Sequence, residues 1–319
     1  MKKSIFAFAA ALAALVACNK NEATPMQPQN QESLVPCELT VGICGSMTRA
    51  TAVTKENEAK VNNLQVFVFR GDDLDAYASV DNAQELTLSC TAGDRVVYAL
   101  VNAPDYSAVP GKAALLAKVS ELSANSLSNF EMVGSKSVTL PQSEKVSIDV
   151  NRIASRVVLK KITRNFTSEA LQALNFKVDA IYLINVAGNT SYDLSAAPAK
   201  WYNVAENKDE VASLLYDAPA SLITNGQSYS TAHTFYAYPN DLATNTTRLV
   251  IETTLGETKY YYPINLPEMA ANKSYEIEEV KITRPGSDNP DEPVSFADAT
   301  FSINVIDWTV VPVTEGTTI

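Results

Sequence analysis

The sequence predicts an all-β chain of two tandem β-sandwich domains, with one short helix in the first. Three observations carry this. Short runs rich in Val, Ile, Phe, Tyr and Thr recur, separated by clusters of Gly, Pro, Asn and Asp. One stretch alone shows clear helical apolar spacing. The length, 319 residues, corresponds to about two domains of ordinary size, and 46% hydrophobic residues against 19% charged is enough to build a core in each.

Taken in order, the chain opens with Lys2 and Lys3 and an apolar run from Ile5 to Ala17. This is too short to span a bilayer and reads as a secretory signal over 1–17. Leu15-Val16-Ala17-Cys18 ends it with a cysteine just after a small residue. Bacterial lipoprotein precursors are acylated at that position, so Cys18 is the expected lipidated N-terminus (palmitate among its acyl chains) and the expected attachment to the membrane. From Cys18 to about Pro36 the composition turns to Asn, Gln, Glu, Pro and Thr, as in a tether. Leu39, Val41 and Ile43 then alternate with Glu38, Thr40 and Gly42, a one-sided strand. A polar stretch from Thr48 to Lys60 shows no apolar periodicity.

Strands are expected at Val61–Phe69 and at Val96–Val101, whose continuous apolar character suits coverage on both faces. Leu115, Leu116, Val119 and Leu122 place a helix over Lys112–Leu122. Short strands follow at Ser137–Leu140 and Lys145–Val150. A second block begins near Asn151, with strands around Val157–Leu159, Phe176–Asn185, Thr234–Tyr238, Arg248–Thr254, Tyr260–Ile264 and Tyr275–Ile282. Arg284 to Pro293 holds three prolines, a glycine and three acids and reads as a mobile hinge. Beyond it, Phe301, Ile303 and Val305 alternate with polar residues, and Val310, Val311 and Val313 close the chain. The expected organisation is a signal at 1–17, a removable segment at 18–49, domains at 50–150 and 151–319, and terminal strands over about 296–319.

Charge and residue usage exclude several functions. The net charge is −11, and because residues 1–49 carry +1, the remainder stands at −12. Such a chain does not wrap nucleic acid, and anionic lipid repels it, leaving the lipid on Cys18 as the membrane contact. One histidine, His233, lacks a neighbouring nucleophile, which removes most histidine catalysis and most zinc sites. Asp288, Asp291 and Glu292 lack the glycine and closing glutamate of a calcium loop, and no phosphate loop, dinucleotide fingerprint or nucleophile elbow occurs. No catalytic residue, metal or cofactor is therefore expected. Tyr260-Tyr261-Tyr262 reads as strand packing. Cys37 and Cys44 would lie roughly 23 Å apart along a strand, beyond the about 7 Å a disulfide tolerates. Cys90 has no evident partner, so the fold is expected to rest on its core rather than on disulfides.

The two ends suggest a mechanism. Arg49-Ala50, among small polar neighbours, is a natural site for an arginine-specific protease. Cutting there would release Leu39, Val41 and Ile43 with their strand and leave a groove of unpaired backbone and uncovered core. The C-terminal strand of another copy, through Phe301, Ile303 and Val305 or through Val310, Val311 and Val313, could refill it by strand addition. That contact is head-to-tail and generates a filament. A monomeric surface lipoprotein that binds a glycan or a host protein is the competing reading.

The residues also match a family. The chain resembles a fimbrillin, the major fimbrial subunit of the type V pili of Bacteroidales. The likeness runs through Cys18, through Thr48-Arg49-Ala50 ahead of Leu64-Gln65-Val66-Phe67-Val68-Phe69, and through Cys90-Thr91-Ala92-Gly93-Asp94-Arg95 into Leu100-Val101-Asn102-Ala103. It continues through Lys259-Tyr260-Tyr261-Tyr262-Pro263-Ile264, Asn272-Lys273-Ser274-Tyr275-Glu276-Ile277, Ile282-Thr283-Arg284-Pro285-Gly286-Ser287-Asp288-Asn289-Pro290 and Val305-Ile306-Asp307-Trp308. The resemblance implies transthyretin-like sandwiches, export as an outer-membrane lipoprotein, cleavage after Arg49 and assembly by donor-strand exchange into an extracellular fimbria for adhesion and virulence. The implied partners are other copies of the chain, the protease, accessory anchor and tip pilins, and receptors on host or bacterial surfaces. A C-terminal extension past Trp308 points to a shaft subunit rather than an anchor or tip.

Overall fold

The computed structural model describes residues 34–45, 58–204, 207–242, 245–292 and 298–308. The N-terminal half contains β1 (Pro36–Gly45), β2 (Asn63–Arg70), β3 (Asp73–Asp81), β4 (Glu85–Thr91), β5 (Gly93–Val101), β6 (Val119–Glu121), β7 (Met132–Leu140) and β8 (Val146–Arg152). All but β6 form one sheet, in the order β3-β2-β5-β7-β8-β1-β4. β7 pairs with β5 along its whole length but with β8 only at Met132 and Val133. The sheet therefore turns over at that corner into two layers. Gly134 sits there because a Cβ would lie 2.1 Å from the Asp149 carbonyl oxygen. Leu64, Val66 and Val68 of β2 and Val97 and Ala99 of β5 face Leu39, Val41, Leu88 and Ile148 across the sandwich.

The opposite face of β2, with Phe67 and Phe69, joins a larger core shared with the C-terminal half. Coverage on both faces is why Val66, Phe67, Val68 and Phe69 follow one another without a polar residue, all of them fully buried. The helix is shorter than its spacing predicts. Only Lys112–Leu116 (α1) is α-helical, with Leu115 buried. From Val119 the chain becomes β6, because Ser120 pairs with Thr190 of the C-terminal half and this tertiary ladder overrides the local apolar rhythm.

The C-terminal half contains β9 (Ser155–Leu159), β10 (Ile162–Arg164), β11 (Phe176–Ile184), β12 (Val186–Ala187), β13 (Asn189–Ser191), β14 (Trp201–Tyr202), β15 (Tyr216–Asp217), β16 (Ser221–Leu222), β17 (Ser228–Tyr229), β18 (His233–Ala237), β19 (Arg248–Leu255), β20 (Thr258–Asn265), β21 (Lys273–Ile282) and β22 (Ala299–Asp307). One layer runs β17-β10-β21-β9-β18, with β22 also on β21; the other is built on β15-β11-β19-β20. Phe176, Val178, Leu249 and Ile251 of the second layer share a core with Val157, Phe235, Tyr275 and Ile277 of the first. The molecule is thus all-β, with two tandem β-sandwiches.

The expected hinge at Arg284–Pro293 is corrected over its described residues. Tyr261 N–H donates to the Ser287 carbonyl (2.8 Å) and Ser287 N–H to that of Tyr261 (2.9 Å). Tyr262 donates its hydroxyl to the Arg284 carbonyl at 2.8 Å, and Arg248 pairs with Asp291. A Cβ on Gly286 would stand 2.2 Å from the Tyr261 oxygen. The prolines stop a ladder from forming, yet the segment is sewn onto β20.

Candidate functional site

The site is the place β1 occupies. Residues Pro36–Gly42 pair antiparallel with β4, and Val41–Gly45 pair parallel with β8. β1 is therefore bonded on both sides only near Val41 and Gly42; elsewhere it leans on one neighbour. Leu39 and Val41 are fully buried and Ile43 is half-buried, all facing the core between the two layers. Each buried side chain contributes roughly 1.5–3 kcal/mol of apolar burial. On the outer face, Thr40 and Thr87 share a hydroxyl contact at 2.9 Å, Lys145 pairs with Glu85 at 2.7 Å, and the Cys44 thiol donates to Asp149 at 3.1 Å. That bond and partial burial push the Cys44 thiol up.

One wall of this groove is β4. No strand was expected between Arg70 and Thr91, yet β4 is β1's longest partner. The signal was present: Leu86, Leu88 and Cys90 alternate with Glu85, Thr87 and Ser89. Among the described residues β4 is an end strand whose ladder partner is β1. Without β1, β4 keeps no ladder and β8 keeps only its two-residue junction with β7. The view that Cys90 has no partner is also corrected, since its sulfur lies 3.7 Å from that of Cys37 across the β1–β4 ladder.

At the other end, β22 pairs antiparallel with β21 from Ala299 opposite Ile282 to Asp307 opposite Lys273. Phe301 and Ile303 pack on the core of their own sandwich, while Val305 is 50% exposed. Directly after β22 comes Trp308, which is fully buried. The Trp308 indole N–H donates to Glu58 Oε2 at 3.0 Å. The same carboxylate receives Arg156 Nη1 at 3.1 Å and the Tyr236 hydroxyl at 2.5 Å. The Arg152 guanidinium lies 4.4 Å from the centre of the indole and donates to the Glu58 carbonyl at 3.1 Å. Burial pulls Arg152 down to about 10, against the pull of Glu58, so it stays charged at neutral pH. This clasp joins the segment nine residues past Arg49 to the C-terminal strand. Nothing in the polar run from Thr48 to Lys60 marked Glu58 as buried.

Cys18, Arg49, Ala50, Val310, Val311 and Val313 lie outside the described residues. His233 is buried, bonded to Asp217 at 2.7 Å and Tyr229 at 3.1 Å, and belongs to packing. Among the described residues no group of three or more His, Cys, Asp or Glu side chains is placed to hold a metal ion, and no helix is long and apolar enough to cross a membrane.

The described chain is two tandem sandwiches, with β1 lodged between β4 and β8 of the first. Residues 38–160 match the family described as major fimbrial subunit protein (FimA), and residues 153–272 match the C-terminal domain of the Fim1C-like fimbrium tip subunits. The major fimbrium subunit FimA type-2 of Porphyromonas gingivalis is 31% identical over 105 residues, covering 32% of this chain and 25% of that protein. The chain thus matches about a quarter of that relative's length. Among solved structures, a cell adhesion protein from Bacteroides eggerthii shares the fold with a TM-score of 0.68 at 21% identity, over 87% of this chain and 98% of its own. A fimbrilin from Porphyromonas gingivalis does so at 0.64 and 16%, over 86% and 98%. Together the two family models run from residue 38 to residue 272, both describe fimbrial subunits, and the chain is similar to the Bacteroidales fimbrillins.

Proposed function

We propose that this protein is a structural pilin, exported as a lipoprotein through Cys18, cut between Arg49 and Ala50, and polymerised by donor-strand exchange into an adhesive fimbria. The observation that carries this reading is the position of β1. It lies upstream of Arg49, fills the sandwich with Leu39, Val41 and Ile43, and is the ladder partner of β4. Its loss creates a vacancy that another strand must fill, and a strand from the next copy propagates a filament. The role is structural rather than catalytic. Of the two candidate donors, the ladder of β22 on β21 and the burial of Trp308 favour Val310, Val311 and Val313 as the entering residues, with Phe301, Ile303 and Val305 staying at home.

The test is cleavage of the purified full-length precursor by an arginine-specific protease, followed by electrophoresis for detergent-resistant ladders. Ladders are expected from the parent chain, and none from Arg49→Ala or from a chain ending at Trp308. Ladders from either variant would contradict the reading. The tip-subunit match over 153–272 supports a second role, a tip that accepts a strand without donating one. A cleaved protein that caps other pilins but never forms ladders of its own would select it.

A further inference from the structure

We infer that Cys37 and Cys90 form a covalent modification site: a cross-strand disulfide that fastens β1 into its groove, closed by a disulfide-class oxidant met on export. Its consequence for assembly rests on the strand-exchange reading above; the bond itself does not.

The geometry comes from the register. Cys37 stands directly opposite Cys90 in the antiparallel β1–β4 pair. Such residues have alpha carbons about 4.5–5.5 Å apart, within the roughly 4.4–6.8 Å that disulfides span. Ala92 N–H donates to the Val35 carbonyl at 2.8 Å, and Leu39 faces Leu88, so the ladder is closed on both sides of the pair. The sulfurs, now 3.7 Å apart, reach bonding distance by side-chain rotation without moving the strands. Cys44 is the poorer candidate, since its exposed thiol is engaged by Asp149.

Access sets the order of events. Cys37 is half-exposed, whereas Cys90 is buried and its thiol is pushed up to about 12 by burial and by the Cys37 contact. The Cys37 thiolate attacks one sulfur of the oxidant and expels the other as a thiolate, giving a mixed disulfide. Cys90, losing its proton to solvent, then attacks the Cys37 sulfur and expels the second oxidant thiolate. In sum the two thiols lose two protons and two electrons, and the oxidant disulfide becomes two thiols. Surface proteins meet such oxidants. Reduction must proceed at the exposed Cys37 sulfur and expel the buried Cys90 thiolate, a poor leaving group because it is so basic. The closed form should therefore be slow to open.

The bond would join two pieces that cleavage after Arg49 separates. Cys37 leaves with the excised strand and Cys90 stays on the groove wall. Cutting would then no longer free the groove, and filament growth would wait for a reductant.

The experiment uses the full-length chain, incubated with oxidised glutathione or with dithiothreitol, then alkylated, digested and analysed by mass spectrometry. A linked pair of peptides carrying Cys37 and Cys90 is expected after oxidation. It should persist in Cys44→Ser and be lost in Cys37→Ser. Parallel samples are cut with the arginine-specific protease and run without reductant. The oxidised sample should retain its N-terminal fragment and form no ladders until dithiothreitol is added; Cys37→Ser should release the fragment under both conditions. Cys37 and Cys90 both alkylated after oxidation, or prompt release of the fragment from oxidised protein, would overturn the inference. A linked peptide pair in a protein that never polymerises even when reduced would leave the disulfide standing and remove the polymerisation reading instead.

Discussion

Replacing Glu58 by glutamine should unfasten the C-terminal strand and destabilise the chain. The Glu58 carboxylate is fully buried and accepts from Arg156, Tyr236 and Trp308. Glutamine keeps the shape but removes the charge and turns an N–H₂ toward these donors. Arg156, also fully buried, is left with Glu276 at 3.8 Å as its remaining carboxylate, beside a second cation at Arg152. Removing one partner of a buried ion pair costs about 3–5 kcal/mol, because the other charge stays desolvated and unpaired. At about 2–4 °C per kcal/mol for a chain of this order of size, Tm should fall by roughly 6–20 °C. The assay is thermal unfolding of the uncleaved full chain at neutral pH, with amide hydrogen exchange to locate the loss. Exchange should rise most along Phe301–Asp307, whose ladder on β21 ends at the clasp. Trp308→Phe removes one donor to Glu58, and the double variant should lose less than the sum of the singles, since both act on one network. A Tm within about 2 °C of the parent, or strictly additive losses, would refute the clasp.

Leu39→Ala, at a position 1% exposed in the sandwich core, should cost about 2–5 kcal/mol in urea unfolding of the precursor; an unchanged midpoint would mean that β1 contributes nothing to the fold. Gly286→Ala should cost about 1–3 kcal/mol of overpacking and accelerate exchange of the Tyr261 and Ser287 amides, because the new methyl falls 2.2 Å from the Tyr261 oxygen. Glu131 gives a pH signature. Burial holds its carboxyl above the usual 4.5, against opposing hydrogen bonds from Tyr192 and Ser120. The folded state therefore keeps this proton to higher pH than the unfolded state. Stability from this group is fully present below about 4.5, falls as pH rises through the folded pKa, and is level beyond it. Glu131→Gln should abolish that decline, so denaturant melts at acid and neutral pH should show the variant gaining on the parent as pH rises; a gain in the opposite direction would contradict the assignment.

Much of the fold was legible because alternation and turn chemistry are local. β2, β5, β8, β11 and β19 to β21 lie close to where their apolar patterns put them, and Leu39, Val41 and Ile43 share the core-facing side of β1 as their period of two requires. Where local signals competed with tertiary pairing, tertiary pairing won. The helical spacing from Leu115 to Leu122 gave way to the β6–β13 ladder. Motifs that matched the family acquired reasons only in three dimensions. In Cys90–Arg95, the Arg95 guanidinium reaches Thr91, the Ala92 carbonyl and Asp75, locking the β4–β5 corner. In Pro285–Ser287, the chain passes too close to β20 for any residue but glycine at position 286.

By itself the sequence determined the β-rich class, the identity of the strand with one apolar face near the N-terminus, and the chemical character of both termini. Each of these follows from residue type and short-range period. Only the tertiary structure decided that this strand is bracketed by β4 and β8, that Cys37 faces Cys90 fifty-three positions away, and that Glu58 meets Trp308 two hundred and fifty positions away. Register and burial are properties of neighbours, and neighbours distant along the chain leave no periodic trace in either of the segments they bring together.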